Sequence, residues 1–149
     1  MAGPTGGGDF RHPFTVTPAG DKARISKGLI LAGIAVEPLI GTVPISGDEE
    51  REQPLLKLSK TLVNDLKESW VCVQVTPDDE GKLDPEGKAS KVEVMQSAYP
   101  YTMQGKAGRV PLAMLVLKDD RWQVHQIAMF HLHYVTSKTA DGARKHFFL

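Results

Sequence analysis

The stretch RVPLAMLVLKDDRWQVHQIAMFHLHYV, residues 109–135, sets two apolar runs on either side of Asp119-Asp120-Arg121. Aspartates of this kind favour tight turns, because a short polar side chain bonds its own backbone and tolerates unusual φ values. The flanking runs are rich in Val, Leu and aromatic residues, so the stretch reads as an antiparallel hairpin. Pro111 lacks an N–H to donate and belongs at the start or edge of its strand. The second run, from Trp122 to Val135, is long for a strand and calls for a bulge or bend.

Working outward, the same period recurs. In SWVCVQVTP, residues 69–77, Val71, Val73 and Val75 share one face, with Trp70, Cys72 and Gln74 on the other. SKVEVMQSA resumes the alternation through Val92 and Val94 after the polar loop 78–90, so these two strands make a second hairpin. FTVTPAGDKARIS, residues 14–26, alternates around a Pro-Ala-Gly-Asp turn and reads as a third. The short apolar run from Gly28 to Val36 has the composition of a strand buried on both sides. QPLLKLSKTLVNDLKES is ambiguous. Leu55, Leu58, Leu62 and Leu66 fall at helical spacing, while Leu56, Leu58 and Leu62 fit a strand face. A strand running into a helical turn and a helix both remain open there. Six or so short β segments without a dependable long helix indicate a mainly β domain over residues 10–149, an antiparallel sandwich or barrel. Residues 1–9, Gly-rich and featureless, read as a flexible arm.

Composition narrows the function classes. With 149 residues, 41% hydrophobic and 24% charged, the chain is long enough to bury a core without staples. Eighteen basic side chains balance eighteen acidic ones, which disfavours a general nucleic-acid binder. The one cysteine, Cys72, reads as a dry, buried thiol, and it excludes any multi-cysteine zinc site. The opening MAGPTGGGDF lacks the basic and apolar regions of a signal peptide. GLILAGIAVEPLIG, interrupted by Glu37-Pro38, is too short to span a bilayer.

The histidines are the first candidates for chemistry. Continuous alternation sets His125, Ile127, Met129, His131 and His133 on one strand face, and Gln126, Ala128, Phe130, Leu132 and Tyr134 on the other. His131 and His133, about 7 Å apart at the rise of a strand, have the spacing to share a metal. A third ligand at a recognisable spacing is missing, so a polar strand face is the simpler reading. His125 is the nearest further imidazole for a small metal-binding β-barrel protein. A homotrimer with this strand on its axis would instead pool six imidazoles, a set suited to iron or a similar transition metal.

Other motifs carry less. DDEGKLDPEG departs from the D-x-[DN]-x-[DN]-G spacing of a calcium loop. Phosphate-binding glycine motifs and the G-x-S-x-G elbow do not occur, and no catalytic constellation stands out, so the chain reads as a non-enzyme. Trp70, Trp122, Tyr99 and Tyr101 are candidates for packing on sugars, which would make the chain a carbohydrate-binding module. Phe147, Phe148 and Leu149 form an apolar tail that needs docking, on this chain or on a neighbour.

His12-Pro13-Phe14, then Gly28-Leu29-Ile30 with Gly33 and Pro38, then Arg109-Val110-Pro111-Leu112-Ala113, Trp122 to Ile127, and His146-Phe147-Phe148 together resemble small β proteins of tailed-phage and prophage tail modules. The resemblance implies a virion component, a tail-tip, fibre or baseplate-associated protein folded in the bacterial cytoplasm. Its partners would be copies of itself, as a trimer or hexamer, other virion proteins, and a host-surface glycan or receptor. Some phage fibres bind iron through H-x-H pairs along a trimer axis, a pattern that His131 and His133 resemble. A host-interaction protein made during infection, outside the particle, is the remaining alternative.

Overall fold

A computed structural model describes residues 12–45, 53–77, 91–101, 108–138 and 144–148, with backbone alone for 136–138 and 144–148. The loop 78–90, the arm 1–9 and Leu149 lie outside these residues. The described chain is all β, with no helix. Its strands are β1 (Val16–Ala19), β2 (Lys22–Ile25), β3 (Ile30–Leu31), β4 (Ala35–Val36), β5 (Leu39–Ile40), β6 (Val43–Pro44), β7 (Leu55–Lys57), β8 (Glu68–Thr76), β9 (Lys91–Ser97), β10 (Gly108–Lys118), β11 (Arg121–Gln126), β12 (Leu132–Lys138) and β13 (Arg144–Phe148).

The three predicted hairpins form. β8 pairs antiparallel with β9, β10 with β11, and β1 with β2. The β10–β11 turn uses only Asp119 and Asp120, both left-handed at φ 51° and 64°, and Arg121 already pairs with Lys118. Two successive positive φ values match the twist of the strands they join. In the β1–β2 turn Gly20 takes φ 68°, a conformation glycine adopts without steric cost.

The first two hairpins assemble into a six-stranded sheet, β11-β10-β8-β9-β5-β6, while the third joins β7 in a flanking sheet, β1-β2-β7, and β13-β12-β3-β4 forms another. The curled sheets make a sandwich-like half-barrel. Among the described strands two pairings are parallel, β12 with β3 and β5 with β9. The inner face of the large sheet, with Val71, Val73, Val75, Val92, Val94, Leu112 and Leu115, packs on Phe14, Val16, Ala23, Ile25 and Ile30.

Two glutamines close the small sheet onto the large one. Gln126, at the end of β11, accepts from Val16 N–H through Oε1 at 2.8 Å and donates through Nε2 to Phe14 O at 2.7 Å. On the other flank, Gln96 of β9 accepts from Ser59 N–H at 2.6 Å and donates to Ser59 O at 3.0 Å. A side-chain amide carries the same donor and acceptor as a peptide unit, so each stands in for a ladder pair where no strand continues.

Three local expectations need correction, and one open choice is decided. The run Trp122–Val135 is not one bent strand. It breaks at 127–131, and its halves belong to different sheets. The cause is a bulge between Pro111 and Ala113, which leaves the carbonyl of Leu112 free of the ladder. That oxygen accepts from Ile127 N–H at 2.9 Å and Ala128 N–H at 3.0 Å, turning the chain out of the sheet. Pro111 itself sits inside β10, at this bulge and beyond the last β11 pair, rather than at the strand's start. Gly28–Val36 divides at Gly33 into β3 and β4, which pair with each other and leave Ile34 exposed. The choice left open over 55–67 falls to a strand, β7, followed by turns over 58–67 rather than a helix. Asn64 Oδ1 accepts from Leu66 N–H and Glu68 N–H, the local side-chain competition that disfavours helices.

Candidate functional site

Strand parity survives within β12 but not across the break. Leu132 and Tyr134 are buried, while His131 and His133 are exposed. His125 stands on β11 opposite Met114, in a different sheet from the other two. His131 Nδ1 accepts from Leu29 N–H at 3.0 Å, beside the bond from Leu132 N–H to Leu29 O that starts the parallel pairing. An imidazole accepting at Nδ1 carries its proton on Nε2. Ligation of a metal through Nε2 would move that proton to Nδ1 and face it against the Leu29 N–H. Here His131 works as a strand clamp. Among the described residues no group of three or more His, Cys, Asp or Glu is gathered as a metal site.

The four aromatic candidates separate by sheet face. Trp122 points inward and is only 7% exposed. Its indole Nε1 is buried without an acceptor among the described residues, and it lines a cleft of about 280 Å³ with Pro18, Gly20, Asp21, Lys60 and Asp120. Lys60 Nζ and Asp120 Oδ1 lie 2.8 Å apart beside it, an exposed ion pair of little energetic weight. Trp70 is half-buried on the outer face of β8, directly opposite Ser97 at the end of β9.

Tyr99 and Tyr101 follow Ser97 and meet each other, with ring centroids 5.7 Å apart and planes inclined by 41°. They are 53% and 54% exposed. The loop is held by Arg109, whose local sequence gives no sign of this role. Its Nη1 donates to Ser97 Oγ at 2.8 Å, Tyr99 O at 3.2 Å and Tyr101 O at 2.9 Å. Its Nε donates to Gln74 Oε1 at 2.9 Å. Gln74 sits opposite Arg109 on β8, and Cys72, two residues before it, shares that outer face. Cys72 is fully buried. Burial pushes its thiol up to about 12, and the nearby Arg109 guanidinium opposes the shift only in part.

A second exposed surface lies on the connection between β11 and β12. Ile127, Met129 and Phe130 are 50%, 44% and 60% exposed. The turn that carries them is tethered to Leu112 O, while Ala128 between them is buried. Unbroken alternation would have set Phe130 on the apolar face with Leu132, and the break in the strand is why it emerges. Of the tail, Phe147 and Phe148 belong to β13, whose backbone pairs with Val135 and Tyr134 of the same chain.

No protein family, no curated protein and no solved structure matches this chain.

Proposed function

We propose that this chain is a non-catalytic structural subunit of a bacteriophage virion, a tail-tip, fibre or baseplate-associated protein. It is made in the bacterial host cytoplasm and works by packing against copies of itself and neighbouring virion proteins. One observation carries the reading: three large apolar side chains, Ile127, Met129 and Phe130, stand out within four residues of a turn tethered to the sheet. Single exposed apolar residues are ordinary, but a fixed cluster marks a surface that gains from being covered. The neutral net charge favours packing of like copies, since it imposes no long-range repulsion. The phage setting rests on the sequence resemblance.

Light scattering after size exclusion, over a wide concentration range, tests the assembly. The expected result is a discrete oligomer that Phe130→Glu or Ile127→Glu dissociates while the strand signal in circular dichroism persists. A monomer at every concentration would remove self-assembly from the proposal. Mass spectrometry of purified particles tests the setting, and a chain absent from them would sink the virion reading.

A further inference from the structure

We propose that Tyr99-Pro100-Tyr101 forms a saccharide-binding shelf, a function separate from the assembly surface and independent of it. Two phenol rings are left more than half exposed side by side, on a backbone that is fixed in advance. Pro100 locks its own φ and restricts Tyr99 before it. Arg109 then bonds the carbonyls on both sides of the proline, and Ser97 Oγ accepts from Tyr99 N–H at 3.2 Å. A ligand arriving here pays little to order the loop, the condition under which a small contact area yields measurable affinity.

The ring geometry selects the chemical class. A flat base or another planar group is clamped best between a parallel pair, which planes inclined by 41° do not offer. A pyranose is puckered, with a C–H face that rests on an aromatic ring and hydroxyls at its rim that meet phenol and main-chain groups. Successive sugars along a chain are inclined to one another, and two inclined rings offer one face to each. The balanced charge of the protein argues against a polyanionic nucleic acid in the same place. Arg109 bonds neutral acceptors, Gln74, Ser97 and the carbonyls of Tyr99 and Tyr101, and among the described residues no carboxylate pairs with its charge beside the shelf. Neutral and uronic-acid sugars share the stacking face, and the uronic class would add attraction to this charge.

Calorimetric titration with soluble cello-, malto-, chito- and galacturonate oligomers, and with a polyproline peptide, decides the matter. Saturable binding of at least one saccharide is expected, with tighter galacturonate binding marking a role for the Arg109 charge. Tyr99→Ala and Tyr101→Ala should each weaken it about tenfold, with thermal unfolding and light-scattering mass unchanged. Pro100→Gly should weaken it too, by loosening the loop. The proposal is overturned by no saccharide binding at millimolar concentration, by binding undiminished in the double tyrosine variant, or by polyproline binding in place of sugar. Loss of the oligomer in Phe130→Glu with sugar binding intact would separate this surface from the assembly surface.

Discussion

Gln96 binds Ser59 at both the N–H and the C=O, as one peptide unit of a strand binds another. Its Nε2 also donates to Ser69 Oγ at 3.0 Å, and Gln96 and Ser69 are both buried. Replacing it by Leu would keep most of the volume, strip the half-buried Ser59 N–H and C=O of this partner, and leave buried Ser69 Oγ with its bond to Ser97 O alone. Each such loss costs about 1–3 kcal/mol where water cannot enter. Gln96→Leu should therefore lower the unfolding free energy in urea by about 2–4 kcal/mol. A change within 0.5 kcal/mol, about what a surface substitution costs, would show that the closure of the half-barrel does not depend on this amide.

Phe14 and Gly28 make a second joint, and both belong to the motifs that carry the phage resemblance. Phe14 is fully buried with φ 59°, a backbone conformation that bulky residues rarely adopt. Its ring lies so close to Gly28 that a Cβ there would come within 2.5 Å of the ring carbons. Gly28→Ala should therefore cost about 1–3 kcal/mol or more, the range for overpacking a core. The companion Gly28→Ala/Phe14→Leu should recover part of that loss. If the single variant melts with the parent, the contact is not what holds this strained phenylalanine.

The Asp119-Asp120 turn offers a stabilising change. Both residues hold left-handed φ values that asparagine and glycine adopt more readily. Asp119→Asn with Asp120→Gly should raise stability by about 0.5–1 kcal/mol. It removes the exposed Lys60–Asp120 ion pair, which is worth less than the backbone gain at ordinary salt. A lower melting temperature in the double variant at 150 mM salt would mean that the ion pair outweighs the turn.

Much of this fold was legible in the chain, and the residues show why the rest was not. Val71, Val73 and Val75 alternate with half-buried or small neighbours, and a period of two needs no knowledge of what packs on it. Asp119-Asp120 marked its hairpin by local turn chemistry alone. The break at 127–131, in contrast, depends on the carbonyl of Leu112, freed by a bulge in another strand. Gln96 and Gln126 read locally as polar strand positions, since their partners lie 37 and 110 residues away. Of the candidate site, Tyr99 and Tyr101 were visible as aromatics two apart. Tyr-Pro-Tyr was the signal of a rigid turn, but its anchor Arg109 joined it only through the β8–β10 register.

Alkaline pH should expose the two buried acids of the sheets. Burial pushes Cys72 from its ordinary 9.0 to about 12, and Tyr134 from 10.0 to about 12. Each pKa is raised in the folded state, so stability is fully present below pH 9 and is lost as pH rises towards 12, where unfolded chains release protons that folded ones retain. At pH 10.5 the thiol alone should account for about 2 kcal/mol of that loss. Cys72→Ala costs some packing at every pH, yet it should flatten the fall between pH 9 and 11 by one proton's slope. Urea titrations of both proteins at pH 7.5, 9.5 and 10.5 provide the comparison. Parallel pH profiles for the two would show that Cys72 ionises as readily folded as unfolded, against its burial beneath Arg109 and beside Pro111.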